Sequence, residues 1–190
     1  MSILRRIRKA LEMRKMKKAL KKSMEEFEEK QKKALSLSVD ALSALPDEDL
    51  ILAVIARIEN IIEKYDDWES GVNSLNRSRK VVYSLNWLES EVNNGGLCQF
   101  FVNSSRMVAP FVSDYLETVG AHEHKKLYDG FVEKYRIDLT DLSFFDVEKA
   151  EEFAEKAEAY PFDEYDDAFY GMEPIETHLI KFVREHIEDY

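Results

Sequence analysis

The 190-residue chain predicts an all-α fold, and three observations carry that prediction. Apolar residues recur three and four positions apart in one segment after another, the period of an amphipathic helix. Only 6 Gly and 4 Pro are present, too few for a turn-rich sandwich or barrel. No stretch alternates with the period of two that a half-buried strand requires. A hydrophobic content of 45% is enough for one core at this length. The expected architecture is a single helical domain of about six to eight helices over 36–190, preceded by a long basic amphipathic helix over 1–35.

The elements follow in order. Over residues 2–34, Ile3, Ile7, Ala10, Met13, Met16, Leu20, Met24 and Phe27 form an apolar stripe. Arg and Lys fill the remaining faces up to Lys22, and Glu25, Glu26, Glu28 and Glu29 then reverse the sign. Ser36 to Pro46 reads as a connection. Asp47-Glu48-Asp49 opens the next helix with acid where the helix dipole favours it, and Leu50, Val54, Ile58 and Ile61 carry it to about Tyr65. Asp66 to Asn76 reads as a polar connection. Ser78 is the expected cap of a helix whose buried face is Val81, Val82, Leu85, Leu88 and Val92. Asn93-Asn94-Gly95-Gly96 ends that helix, and Leu97–Asn103 forms a short helical turn. A helix over about 108–119 takes Pro110 in its first turn and Gly120 as its C-terminal cap. His122–Lys134 repeats the pattern. Residues 144–159 place Val147, Ala150, Phe153, Ala154 and Ala157 on one arc of a helix and Glu148, Glu151, Glu152, Glu155 and Glu158 on the next. Tyr160 to Tyr170 reads as an acidic, aromatic connection carrying Asp163, Glu164, Asp166 and Asp167, and Pro174 starts the last helix.

Composition narrows the function classes. Cys98 is the only cysteine, so no intrachain disulfide and no thiolate-rich metal site can form. No run of about 18 apolar residues occurs, and the N-terminus lacks a signal-peptide core; the expected compartment is the cytoplasm. Ser2 rather than Gly follows Met1, so no myristoyl anchor is indicated. Charge is split. Residues 1–33 hold 13 Lys+Arg and 5 Glu, a net of +8; residues 34–190 hold 14 Lys+Arg and 33 Asp+Glu, a net of −19, and the two make the −11 of the whole chain. The basic segment is either a surface for membrane or nucleic acid, or a solvated helix that packs on the body or on a partner helix.

Candidate chemistry is sparse. His122 and His124 sit at i and i+2, about 200° apart on a helix, and so cannot share a metal there. Cys98 follows a Gly-Gly corner at a helix start, a position that lowers a thiol pKa, but a lone cysteine is more often a small buried hydrophobe. The acids match no calcium loop. No catalytic residue, cofactor or metal is assigned, and the chain is expected to be non-enzymatic. The corner Asn93, Asn94, Gly95, Gly96, Gln99, Phe100, Phe101 and Asn103 admits two readings. It is either a polar pocket reading a small ligand through amides, or an architectural turn whose amides satisfy helix ends while the two Phe anchor it to the core.

The segment from Tyr83 to Ser105, with Glu89, Asn94, Gly95, Gly96, Gln99, Phe100, Phe101, Asn103 and Ser104, followed by Val119-Gly120-Ala121, resembles the DNA-mimic protein family of acidic bacterial proteins. The family signature runs E-x-x-x-N-G-G-x-x-Q-[FY]-[FY]-x-N-S, then a helix ending in I-G-A, and the likeness covers roughly residues 75–190. The resemblance implies an all-helical domain, often dimeric, whose carboxylates stand in for DNA phosphates on the DNA-binding face of a regulator. The partner it implies is a basic DNA-binding protein, and the acidic body itself would not bind nucleic acid. The basic arm at 1–33 departs from a plain acidic mimic and leaves a membrane surface as an alternative attachment. Residues 141–190 hold 16 acids against 4 bases, so the expected interaction surface is Glu148, Glu151, Glu152, Glu155, Glu158, Asp163, Glu164, Asp166 and Asp167.

Overall fold

The structure, a computed structural model, describes the backbone of residues 3–190 and the side chains of residues 12–149 and 151–190. The expected all-α domain is found, and the described residues contain no strand. Helix α1 spans Ile3–Ala34 as predicted; the side chains of Ile3, Ile7 and Ala10 in its stripe lie outside those described. Its last turns lie on α3 (Asp47–Ile62). There Lys30 pairs with Asp49 at 2.7 Å, Ala34 is buried, and Arg57 reaches back to the carbonyls of Ala34 and Leu37.

Two expected connections are helical. Within 36–46, α2 (Val39–Ser43) starts at Ser38, whose hydroxyl accepts the Ala41 N–H at 3.2 Å. Within 66–76, α4 (Trp68–Ser74) starts at Asp67, which accepts the Ser70 N–H at 2.8 Å. Both are short enough that capping rather than apolar periodicity defines them. At Gly71 the α4 backbone lies so close to Ile62 that a Cβ would come within 2.7 Å of it. The cap of α5 (Arg77–Val102) is Asn76, not Ser78. Ser78 is buried and donates to Asp189 near the end of the chain.

Helix α5 is the centre of the fold. Val81, Val82, Leu85, Leu88 and Val92, then Phe100 and Phe101 beyond the glycines, are buried against α3, α6 (Ala109–Val119), α9 (Phe162–Tyr170) and α10 (Ile175–Glu185). α6 carries Pro110 in its first turn and ends at Gly120 in the left-handed region, φ +78°, as the sequence predicts. α7 spans His122–Tyr135.

The region after α7 departs most from expectation. The helix expected over 144–159 is broken: a 3-10 turn at Ser143–Phe145 precedes α8, which starts at Ala150. Val147 and Glu148 therefore lie before the helix, where the Glu148 N–H donates to the Glu152 carboxylate. Ala154, placed by the wheel on the packed face, is exposed. The expected connection 160–170 is α9, with Phe162 buried and Tyr165 and Phe169 half-buried at helical spacing. With α2, α4 and α9 included, nine α-helices follow α1 among the described residues, rather than six to eight.

Candidate functional site

The Asn-Asn-Gly-Gly corner is a break inside α5. Gly95 leaves the helical region at φ −162°, ψ 24°, and Gly96 sits at φ +80°, ψ 176°, a conformation essentially restricted to glycine. A Cβ on Gly96 would fall 2.1 Å from the Asp166 carboxylate. That closeness has a purpose: Asp166 of α9 accepts the Leu97 N–H, freed by the break, at 2.7 Å. The helix end is thus satisfied from α9 rather than by the corner's own Asn side chains, and Asn93 and Asn94 are exposed. Beyond the break, Phe101 stacks on Phe145 and Phe131 at centroid distances of 4.9 and 5.8 Å and meets Phe100 edge-on at 5.3 Å.

Two glutamates on the first half of α5 organise the corner. Glu91 gathers the polar side chains after the break: Gln99 Nε2 donates to its Oε2 at 2.6 Å, Asn103 Nδ2 to the same oxygen at 2.8 Å, and Ser105 Oγ lies 3.2 Å from Oε1. Glu89 faces the start of α10, where its two oxygens accept the N–H groups of Ile175 and Glu176 at 2.7 and 2.8 Å. Burial pushes the Glu89 carboxyl up to about 6, the two N–H donors oppose the shift, and Glu176 adds to it. Tyr170 closes the arrangement by donating to the Val92 carbonyl at 2.7 Å.

Sequence reasoning found the corner, its two Phe and Glu89, but not Glu91 as its hub. The available signal was an unanswered count: Gln99, Asn103 and Ser105 are donors in need of an acceptor, and Glu91 lies eight residues before Gln99. The amides of Gln99 and Asn103 are committed to Glu91, which favours the architectural reading over the ligand pocket. The cavity behind the corner, bordered by Leu88, Val92, Leu97, His124 and Phe169, measures about 20 Å³. It has room for about one water.

The remaining candidates separate. Cys98 is buried, and burial first, then the Asp166 charge, pushes its thiol up to about 11. It is held as a thiol at neutral pH, so the helix-start activation weighed from sequence is overridden by desolvation and a neighbouring carboxylate. His122 and His124 point apart. His122 is exposed, 3.5 Å from Glu117, whereas His124 is buried edge-on against Phe169, with Nε2 unpartnered among the described residues. Burial and the nearby His178 lower the His124 pKa.

Of the nine nominated surface carboxylates, Glu148, Glu151, Glu155, Glu158, Asp163, Glu164 and Asp167 are exposed. Glu152 is half-buried and accepts the Glu148 N–H. Asp166 is turned inward to Leu97, so it belongs to the corner and not to the surface, a correction that follows from α9 being a helix with one face packed on α5. Two of the four local bases are engaged elsewhere: Lys156 sits 4.0 Å over the Phe144 ring, and Arg184 bonds the α2–α3 connection. No described helix is long and apolar enough to cross a membrane.

Comparison with known proteins places the corner in context. A family model described as DMP19-like protein matches residues 73–186, from within α4 to just beyond α10. No curated protein and no solved structure matches.

Proposed function

The chain belongs to the DMP19-like protein family, and from that premise we propose that residues 36–190 form an acidic, non-enzymatic interaction domain that mimics DNA. In this reading its carboxylates occupy the DNA-binding face of a basic DNA-binding protein. The observation that carries it is the segregation of charge: 16 acids against 4 bases over 141–190, with seven of the nominated carboxylates exposed on or beside α8 and α9.

The excess exceeds what solubility needs. A net −19 over 34–190 compares with about 2–8 charges sufficient for a small domain. Spacing sets a further requirement. Duplex DNA carries one charge per about 1.7 Å of axis, whereas helix acids at i, i+3 and i+4 stand about 5–6 Å apart. One helix ridge is therefore too dilute, and two acidic helices, α8 and α9, supply the minimum number of rows. The amides committed at the corner and the protonated, buried Cys98 thiol support binding rather than catalysis.

The test uses exposed positions that leave the fold intact. Intact protein is immobilised, bound basic proteins are eluted with duplex DNA, and the recovered protein is titrated against a Glu151→Gln, Glu155→Gln, Glu158→Gln variant. The expected result is displacement by DNA and binding weakened about tenfold or more in the variant, with the loss reduced at high salt. A partner indifferent to DNA, or bound equally by the variant, overturns the mimic.

A further inference from the structure

Three helices meet around a cleft of about 210 Å³ and present to it residues one turn apart. Helix α4 contributes Trp68, Glu69 and Val72, α5 contributes Lys80 and Ser84, and α6 contributes Phe111 and Tyr115. Positions three and four apart share a helix face, so each helix turns one side toward the opening. The cleft shares no residue with the Asn-Gly corner or with the nominated carboxylates. A dry cavity of about 150 Å³ holds a benzene ring. This cleft has room for a ring and a short chain.

Its walls are aromatic and separate. Trp68 stacks on Trp87 at 5.3 Å and Phe111 on Tyr115 at 5.9 Å, but no ring contact joins the two walls among the described residues. Each wall is fixed. The Trp68 indole N–H donates to Tyr83 at 3.1 Å, and Arg77, paired with Asp114 at 2.8 Å, lies over the Tyr115 ring. Phe111 is nonetheless 53% exposed. A gap between two fixed aromatic faces suits a flat ring, which takes offset or edge contacts at about 4.5–7 Å.

Opposite charges border the gap. Lys80 is half-buried and Glu69 is exposed, and neither forms an ion pair with the other or with any described residue. A lysine that loses part of its hydration without gaining a partner costs stability, and an anion seated beside it relieves that cost. Lys80 alone would select an anion and Glu69 alone a cation; together they select a ligand that carries both charges. Ser84, 2% exposed, adds a buried hydroxyl. An apolar cleft with a few convergent polar groups is the usual form of a small-molecule site.

We propose that this cleft binds a free aromatic amino acid, its ring between Trp68 and Phe111, its carboxylate on Lys80 and its ammonium group facing Glu69. The zwitterion matches the one cation and one anion of the rim, and its ring matches the gap. The site is independent of the DNA-mimic reading and needs neither the partner nor the carboxylates which that reading invokes.

The test is a titration of the intact, isotope-labelled chain with L-phenylalanine, followed through the indole N–H signals of its 2 Trp by NMR. The expected result is a saturable shift of the Trp68 signal with a dissociation constant below about 1 mM. Phenylacetate, which lacks the ammonium group, and phenethylamine, which lacks the carboxylate, should each bind about tenfold more weakly to the same wild-type chain. Lys80→Gln should weaken L-phenylalanine about tenfold and leave phenethylamine unchanged, whereas Glu69→Gln should weaken L-phenylalanine and leave phenylacetate unchanged. The absence of a saturable shift with phenylalanine, tyrosine or tryptophan up to about 10 mM overturns the proposal. So does L-phenylalanine affinity unchanged in either charge variant. Phenylacetate or phenethylamine binding as tightly as the amino acid overturns it too, and assigns the cleft to an aromatic acid or an aromatic amine.

Discussion

At the residue scale, Glu89, Glu91 and Gly96 show how a small motif becomes a corner. Glu89 has a folded pKa of about 6 against an ordinary 4.5, so the folded state holds its proton more tightly than the unfolded chain. Its contribution to stability is full below pH 4.5 and is lost as pH rises through 6, a difference of about 2 kcal/mol at 1.36 kcal/mol per unit. Urea unfolding from pH 4 to 7 should show this fall in the wild type and its absence in Glu89→Gln; parallel profiles would refute it. Gly96 is strained for any other residue and abuts Asp166, so Gly96→Ala should cost about 3 kcal/mol or more. Gly130, in the middle of α7 with open space where a Cβ would go, is the control: Gly130→Ala should stabilise by up to about 1 kcal/mol. Glu91→Ala leaves the amides of half-buried Gln99 and exposed Asn103 without their acceptor, while the Ser105 hydroxyl keeps the Phe100 carbonyl at 3.2 Å, and should cost about 1–3 kcal/mol in the same assay.

At the scale of elements, the long helices were legible and the short ones were not. α1, α3, α5, α6, α7 and α10 declare themselves by apolar period, by acid in the first turn of α3, and by Pro and Gly at the ends of α6. α2 and α4 have only five and seven residues, too few for a period to register, and are defined by Ser38 and Asp67 as caps. In α9, Asp163, Glu164, Asp166 and Asp167 obscured the spacing of Phe162, Tyr165 and Phe169, although the aromatic positions set the fold and form its packed side. The start of α8 was misplaced because an amphipathic pattern does not reveal a break: Ser143–Phe145 turns to bury Phe145 against Phe101. Arg184 on α10 bonds the carbonyls of Ser43 and Leu45, each at 3.0 Å, and pairs with Asp47. Arg184→Ala should loosen the α2–α3 connection, seen as faster amide exchange at 43–50, with a stability loss of about 1–2 kcal/mol.

At the scale of the whole molecule, contacts between distant positions close the fold. Tyr190, 8% exposed, donates to the Ser78 carbonyl at 3.3 Å, and Asn76 donates to the Asp189 carbonyl at 3.1 Å, fastening the last residues to the start of α5. Tyr190→Ala should cost about 3–5 kcal/mol by urea unfolding, as truncation of a buried aromatic does; a loss within experimental error would mean the C-terminal contact is dispensable. With a net −19 on the body, the association proposed for the α8–α9 carboxylates should weaken as salt rises.

The sequence by itself determined the helical class, the long amphipathic α1, the break at Gly95-Gly96 and the segregation of charge, because each is a local property of period, backbone freedom or composition. Only the tertiary structure decided that Asp166 points into the corner, that Glu91 gathers Gln99, Asn103 and Ser105, that Glu89 caps α10, and that the Cys98 thiol is held protonated. Those outcomes depend on desolvation and on partners up to 87 residues apart, which no local pattern encodes.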